Sequence, residues 1–322
     1  MFKKVVIIII LIFSIFILMN NISATTYTVS NSTDSNTISK MISGDVPFKN
    51  GKIIRNGDIV RLKAGNYYNI NLVVDKRISI VSAKNAKNKV NFIGRYKNNN
   101  LSKNSSAIFL NSNKVKIKWI NIKNYKYGIF LNSSANSISN VILRKNTQGI
   151  FLNNAKNKIF YSTLINSGIY IENNFNKIYS NKFRDAKIYI NGLSNKIQKN
   201  RAYNTTLTIN GNKNNVLKNI FIRFKSGIIV YGKLNKITSN NFYRGNGIAI
   251  HGLKNKAYYN NITHTFIAFG IYNSGNCLYK NNLYNNNFAI NYNNKNNKFV
   301  KNNFKNNKDN IHFESFGFPD ET

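Results

Sequence analysis

The chain has 322 residues and carries 47 Lys+Arg against 10 Asp+Glu, a formal net charge of +37. It is 42% hydrophobic and contains a single cysteine, Cys277. That content supports a sizeable core, excludes an intrachain disulfide framework and points to anionic partners.

Residues 1–24 read as a secretory signal segment. Lys3 and Lys4 form a basic start, Val5–Leu18 an unbroken apolar run, and Asn20–Ala24 a polar stretch ending in a small residue. The run is short for a membrane span and suited to a signal. No later run of spanning length follows. The expected location is therefore secreted or cell-envelope, with the membrane touched only through this segment.

Residues 25–56 read as linker and N-terminal cap. Thr33-Asp34-Ser35-Asn36 offers capping residues, and Ile38, Met41 and Ile42 stand at helical spacing. A short amphipathic helix near 36–43 is predicted, placed to cover the open end of a solenoid. Residues 57–106 follow as irregular first coils, with Gly57-Asp58 and Gly65 as turn signals between alternating strands.

From Ala107 to Phe313 the sequence repeats itself. Eleven four-residue runs, from AIFL at 107–110 to NIHF at 310–313, recur at offsets of 19 to 21 residues. A near-constant period of this length is the mark of a solenoid. Counting each run from position 0, positions 1 and 3 are apolar, as in Ile129/Leu131 and Ile150/Leu152. That is a strand with one buried face. Positions 10 and 15 are apolar again, as in Ile138 and Leu143. A coil this short has no room for a strand plus a packed helix.

Asparagine marks the corners. Position 8 is Asn in nine consecutive units, Asn136 to Asn297, and position 13 is Asn in seven, Asn181 to Asn302. Asn tolerates the left-handed conformation and bonds backbone at bends. Stacked in register, its amides can also bond along the column. On this coil pattern and these asparagine files the chain resembles the right-handed parallel β-helix, pectate-lyase-like superfamily. The GD-I-x-L-x-x-G-x-Y pattern at 57–67 resembles the first coils of adhesin-like β-helix proteins of archaeal cell surfaces, which implies an envelope role. The tail, 314–322, offers Phe316 and Phe318 to plug the last coil and Pro319 to end pairing. The expected fold is all-β: a single right-handed parallel β-helix of about eleven regular coils with irregular N-terminal coils and a short capping helix.

Acids are scarce where chemistry would sit. Between Ala107 and Phe304 only Glu172 and Asp185 occur. Hydrolases need a carboxylate pair, and calcium sites need several oxygen ligands. Glu172 falls at position 4, where other units carry Asn, and reads as one rung of a ladder. Copper would ask His251, His264 and Cys277 to converge, which their positions disfavour. No cofactor, metal or catalytic residue is expected from this count.

Two outward files stand out instead. Position 2 carries Phe109, Phe130, Phe151, Tyr170 and Tyr189 on five consecutive units, a candidate carbohydrate-binding strip. The segment near 96–106 is a candidate cover for it. Position 9 carries Lys116, Lys158, Lys177, Lys196, Lys236, Lys256 and Lys298, a candidate polyanion-binding file. Nucleic acid is not the expected partner, because no nucleic-acid module is present and the signal segment points outside the cell. The expectation is a secreted, non-enzymatic, adhesin-like protein binding carbohydrate or an anionic envelope polymer. The alternative is a polysaccharide lyase acting on acidic polysaccharide, with Arg184, Arg201, Arg223 and Arg244 as candidate bases near Glu172.

Overall fold

The computed structural model describes residues 24–95 and 106–314. The signal segment, most of the proposed cover segment, Phe316 and Phe318 lie outside the described residues. Each regular coil passes through three short strands, for example Lys158–Phe160, Thr163–Ile165 and Ile169–Ile171. Like strands stack in parallel into three sheets: sheet A with 13 strands, from Thr26–Val29 to Lys298–Val300, and sheets B and C with 12 each. At roughly 4.8 Å between neighbouring strands, the stack is about 60 Å long.

Sheet B runs from Gly65–Tyr68 to Asn303–Lys305, and sheet C from Leu72–Val74 to Asp309–Phe313. The chain thus forms the right-handed parallel β-helix that its repeat announces. Register is strict. Phe130 pairs with Phe109 on one side and Phe151 on the other. Every file read from the repeat is therefore a physical column.

The core follows from alternation. Ile129, Leu131, Ile138 and Leu143 are fully buried, and their counterparts line the interior as far as Ile290, while Ile311 and Phe313 on the last coil are exposed. Each such side chain contributes about 1.5–3 kcal/mol when buried. Residues 26–29, read as linker, instead form the first strand of sheet A, because Tyr27 and Val29 alternate into the core and pair with Ile59–Leu62. Helix α1, Ser35–Ser43, caps that end. Asp34 accepts hydrogen bonds from the backbone N–H groups of Asn36 and Thr37, and Ile38, Met41 and Ile42 are buried.

The corners work differently from the sequence reading. The left-handed residue is not the recurring asparagine but the one before it: Ala135 before Asn136, Ser180 before Asn181. That residue turns the chain, and the following asparagine points inward. The backbone N–H of Asn136 donates to Oδ1 of Asn157 on the next coil at 2.8 Å. The file continues through Asn176, Asn195, Asn214, Asn235, Asn255, Asn276 and Asn297. At the A–B corner each rung is doubled. Both the backbone N–H and Nδ2 of Asn200 donate to Oδ1 of Asn219, each at 2.9 Å. A third, mixed ladder at the B–C corner uses Asn146, Ser167, Asn286 and Asn307.

A buried rung and a surface rung should therefore behave oppositely. Asn219→Ala leaves the backbone N–H of Asn200 and one of its two amide N–H groups without an acceptor, the other still donating to Ile178, and should cost about 2–4 kcal/mol. Asn210→Ala removes only an exposed amide contact to Asn191 and should stay within about 0.5 kcal/mol. Denaturant titration of both variants checks the contrast.

Candidate functional site

The outward face of sheet C changes character along the rod. Over its first coils the position 2 rings stack. Phe109 and Phe130 have centroids 5.3 Å apart, Phe130 and Phe151 4.8 Å, and Tyr170 and Tyr189 5.0 Å. All five are half-buried. Part of the burial comes from their own stacking and part from Tyr127, which stands edge-on to Phe130 and Phe151. Phe109, Phe130, Tyr127 and Lys126 border a groove of about 430 Å³. Cover by residues 96–105 lies outside the described residues.

Beyond Tyr189 the same column becomes Thr208, Ile229, Ala249 and Gly270, and the floor drops. A second groove, of about 220 Å³, opens there. Ala249 and Gly270 lie in its floor, and Ser226, Asn246 and Ile267 on one edge. Its other edge is a wall of rings: Tyr231 stacks on His251 at 5.0 Å, and His251 on Tyr272 at 4.6 Å. Gly270 makes this packing feasible. A Cβ there would stand 2.7 Å from the Tyr272 hydroxyl.

The wall belongs to the position 4 file. Upstream that file is an amide ladder on the sheet C rim, with Asn132 donating to Asn111 and Asn153 to Asn132. Glu172 is a rung of it, its two oxygens accepting from Asn191 at 3.0 and 2.8 Å. Tyrosine and histidine replace amides at Tyr231, His251 and Tyr272. Burial lowers the pKa of His251, so its imidazole is neutral near pH 7. Burial, reinforced by Glu314, raises the pKa of Tyr272, so its phenol stays protonated. A neutral base thus stands beside a protonated acid on one wall.

The remaining expected residues are dispersed. The lysine file runs down sheet A, interrupted by Ser137, Asn215 and Cys277. All its members are exposed except Lys196, which is half-buried. Arg184, Arg201, Arg223 and Arg244 all lie in strands of sheet B, Arg223 and Arg244 near its corner with sheet C. None is brought to Glu172, which is on the far rim of sheet C. His251, His264 and Cys277 fall on the sheet C rim, the B–C corner and sheet A respectively. Among the described residues no cluster of three or more His, Cys, Asp or Glu could hold a metal. Glu172 with its amide partner does not make a calcium cage. Tyr231 and Tyr272 were not singled out from the sequence. The available signal was the break of the asparagine file at positions 231, 251 and 272.

No protein-family model and no curated protein matches this chain. Solved structures do. A family 6 polysaccharide lyase from Pseudopedobacter saltans superposes with a TM-score of 0.57 at 11% identity, covering 86% of this chain and 78% of that one. A family 6 alginate lyase gives 0.53 at 11% identity, over 85% of this chain and 53% of that one. The catalytic domain of a GH87 α-1,3-glucanase, in complex with tetrasaccharides, gives 0.52 at 12% identity, over 91% and 68%. These comparisons overturn the non-enzymatic, adhesin-like expectation, because the matching structures are enzymes that act on glycans. The physical reason for the error is that scarce acids count against hydrolysis by a carboxylate pair, whereas elimination needs no such pair. At these identities the likeness establishes the fold: the chain is a right-handed parallel β-helix of the kind found in polysaccharide lyases.

Proposed function

We propose that this chain binds an acidic polysaccharide along sheet C and cleaves it by β-elimination. One observation carries the reading: a neutral imidazole, stacked between two phenols, walls a groove floored by small residues. The two lyases that share this fold add weight to it.

Elimination removes the proton α to a uronate carboxylate and expels the glycosidic oxygen. His251 takes the proton from C5, the C–H electron pair becomes the new C4–C5 double bond, and the C4–O bond breaks. Tyr272 donates its hydroxyl proton to the departing oxygen. The upstream rings, from Phe109 to Tyr189, hold further sugar residues by stacking, at about 0.5–1.5 kcal/mol per ring.

Base and acid stand on the same wall, so proton departure and delivery occur on one face of the sugar. That geometry favours uronates whose C5 hydrogen and C4 oxygen share a face, as in the gluco and manno configurations. Galacto- and L-gulo-configured uronates place them on opposite faces.

Incubation with polymannuronate or polyglucuronate should produce the absorbance of an unsaturated uronate, and polygalacturonate much less. No absorbance with any of these polymers would overturn the proposal. His251→Ala and Tyr272→Phe should each lower kcat by about a hundredfold or more. Phe130→Ala with Phe151→Ala should instead raise KM by roughly tenfold and leave kcat nearly unchanged.

The pH profile has a defined sign. The base must be neutral, and the pKa of His251 is lowered, so the acid limb of kcat/KM should lie below the usual histidine value of about 6.5. The acid must be protonated, and the pKa of Tyr272 is raised, so the alkaline limb should lie above about 10. A rate profile of the parent chain and of Tyr272→Phe checks both limbs.

A further inference from the structure

We infer that sheet B, with its corner into sheet C, is a second and separate track that holds an acidic polysaccharide along the rod axis. The inference does not rest on the cleavage reading, because it concerns retention and not turnover.

The track is built from cations on four consecutive coils. Lys182 and Arg184 lie on one, Arg201 on the next, Arg223 on the third and Arg244 on the fourth. Register places Lys182 against Arg201 and Arg184 against Tyr203. All five cations are exposed. Like charges on adjacent rungs repel, yet no acid relieves them. Among the described residues the only ion pair is His312 with Asp309, on the last coil. The one acid on this face, Asp185, accepts the amide of Asn204 at 2.7 Å.

The arginines are held in place by rings. The guanidinium of Arg184 lies 5.5 Å from the centroid of Tyr203, and Nη1 of Arg223 donates to the Tyr203 hydroxyl at 3.3 Å. The guanidinium of Arg244 lies 5.1 Å from the centroid of Tyr243, whose ring also meets His264 at 5.2 Å. Aromatic contacts orient a guanidinium without neutralising it, so its planar fork remains available for a carboxylate. A linear polyuronate presents one carboxylate per sugar. The coils present cations at about 4.8 Å per rung, a spacing comparable with the rise of an extended sugar chain. Tyr203 and Tyr243 add faces for the rings between.

Sheet A offers the comparison. It carries similar charge as lysine, a point cation without the fork. The test uses the full chain and polymannuronate immobilised on a biosensor. Combining Arg184→Gln, Arg223→Gln and Arg244→Gln should weaken the Kd by about tenfold or more. Combining Lys158→Gln, Lys177→Gln and Lys236→Gln removes the same charge from sheet A and should weaken it by less than about threefold. A neutral glucan should not bind. Unchanged melting temperatures show that both triple variants fold, as expected for exposed positions. Equal losses in the two triple variants would reduce the effect to bulk charge and overturn the inference. So would parent-like binding of the arginine variant, or tighter retention on single-stranded DNA than on polymannuronate.

Discussion

The structure depends on one hydrogen bond repeated coil after coil: a backbone N–H at a corner donating to the side-chain oxygen of the asparagine one coil further on. A solenoid coil must turn sharply three times, and every turn leaves donors facing the interior. An unpaired buried donor costs about 1–3 kcal/mol, and the cost would accumulate along the rod. The buried asparagines remove it at two corners, and Asn146, Ser167, Asn286 and Asn307 remove it over part of the third. The ladder also fixes register, since a slipped coil would break a whole file of bonds together. Strict register is what turns single residues into columns, and columns are what give the outer faces their chemistry.

Sheet C shows how a site arises from such columns. Large rings at position 2 make a stacking strip over the first coils, and small residues at the same position open a groove further on. The rim file changes in the same coils, from amides to Tyr231, His251 and Tyr272. Where the ladder gives way at the third corner, apolar rings take its place: Phe224 packs edge-on to Phe242, which stacks on Phe221 at 4.9 Å. The groove thus sits where two regular patterns are interrupted together.

That coincidence explains what the sequence could and could not reveal. The repeat, the core positions, the two asparagine files and the stacked register of Phe109, Phe130 and Phe151 were legible, because each is a regularity and regularities add up over eleven coils. The capping helix was legible from Asp34 and the spacing of Ile38, Met41 and Ile42. The groove was not, because it is made of departures from the pattern, and a reading built on recurrence treats departures as noise. The third ladder mixes Asn, Ser and Thr and so leaves no single-letter column. The left-handed residue was assigned to the asparagine from its intrinsic tolerance, while the hydrogen bond it makes inward hands the turn to its neighbour. The functional reading failed for a chemical reason: the scarcity of acids, Glu172 and Asp185 alone, put the lyase second to a non-enzymatic role, though elimination does not depend on a carboxylate pair.

The turning residues carry a consequence of their own. Among the described residues they include lysine, tryptophan, tyrosine, arginine, serine, phenylalanine and histidine. Each accepts the left-handed conformation at a cost of about 1–2 kcal/mol, offset by the bonds its neighbour makes. Because the fold requires their backbone shape and not their side chain, these sites are uncoupled from the core. They form rows of interchangeable pegs along the three edges of a fixed rack, where new contacts with the outside can be tried without disturbing what holds the rack together.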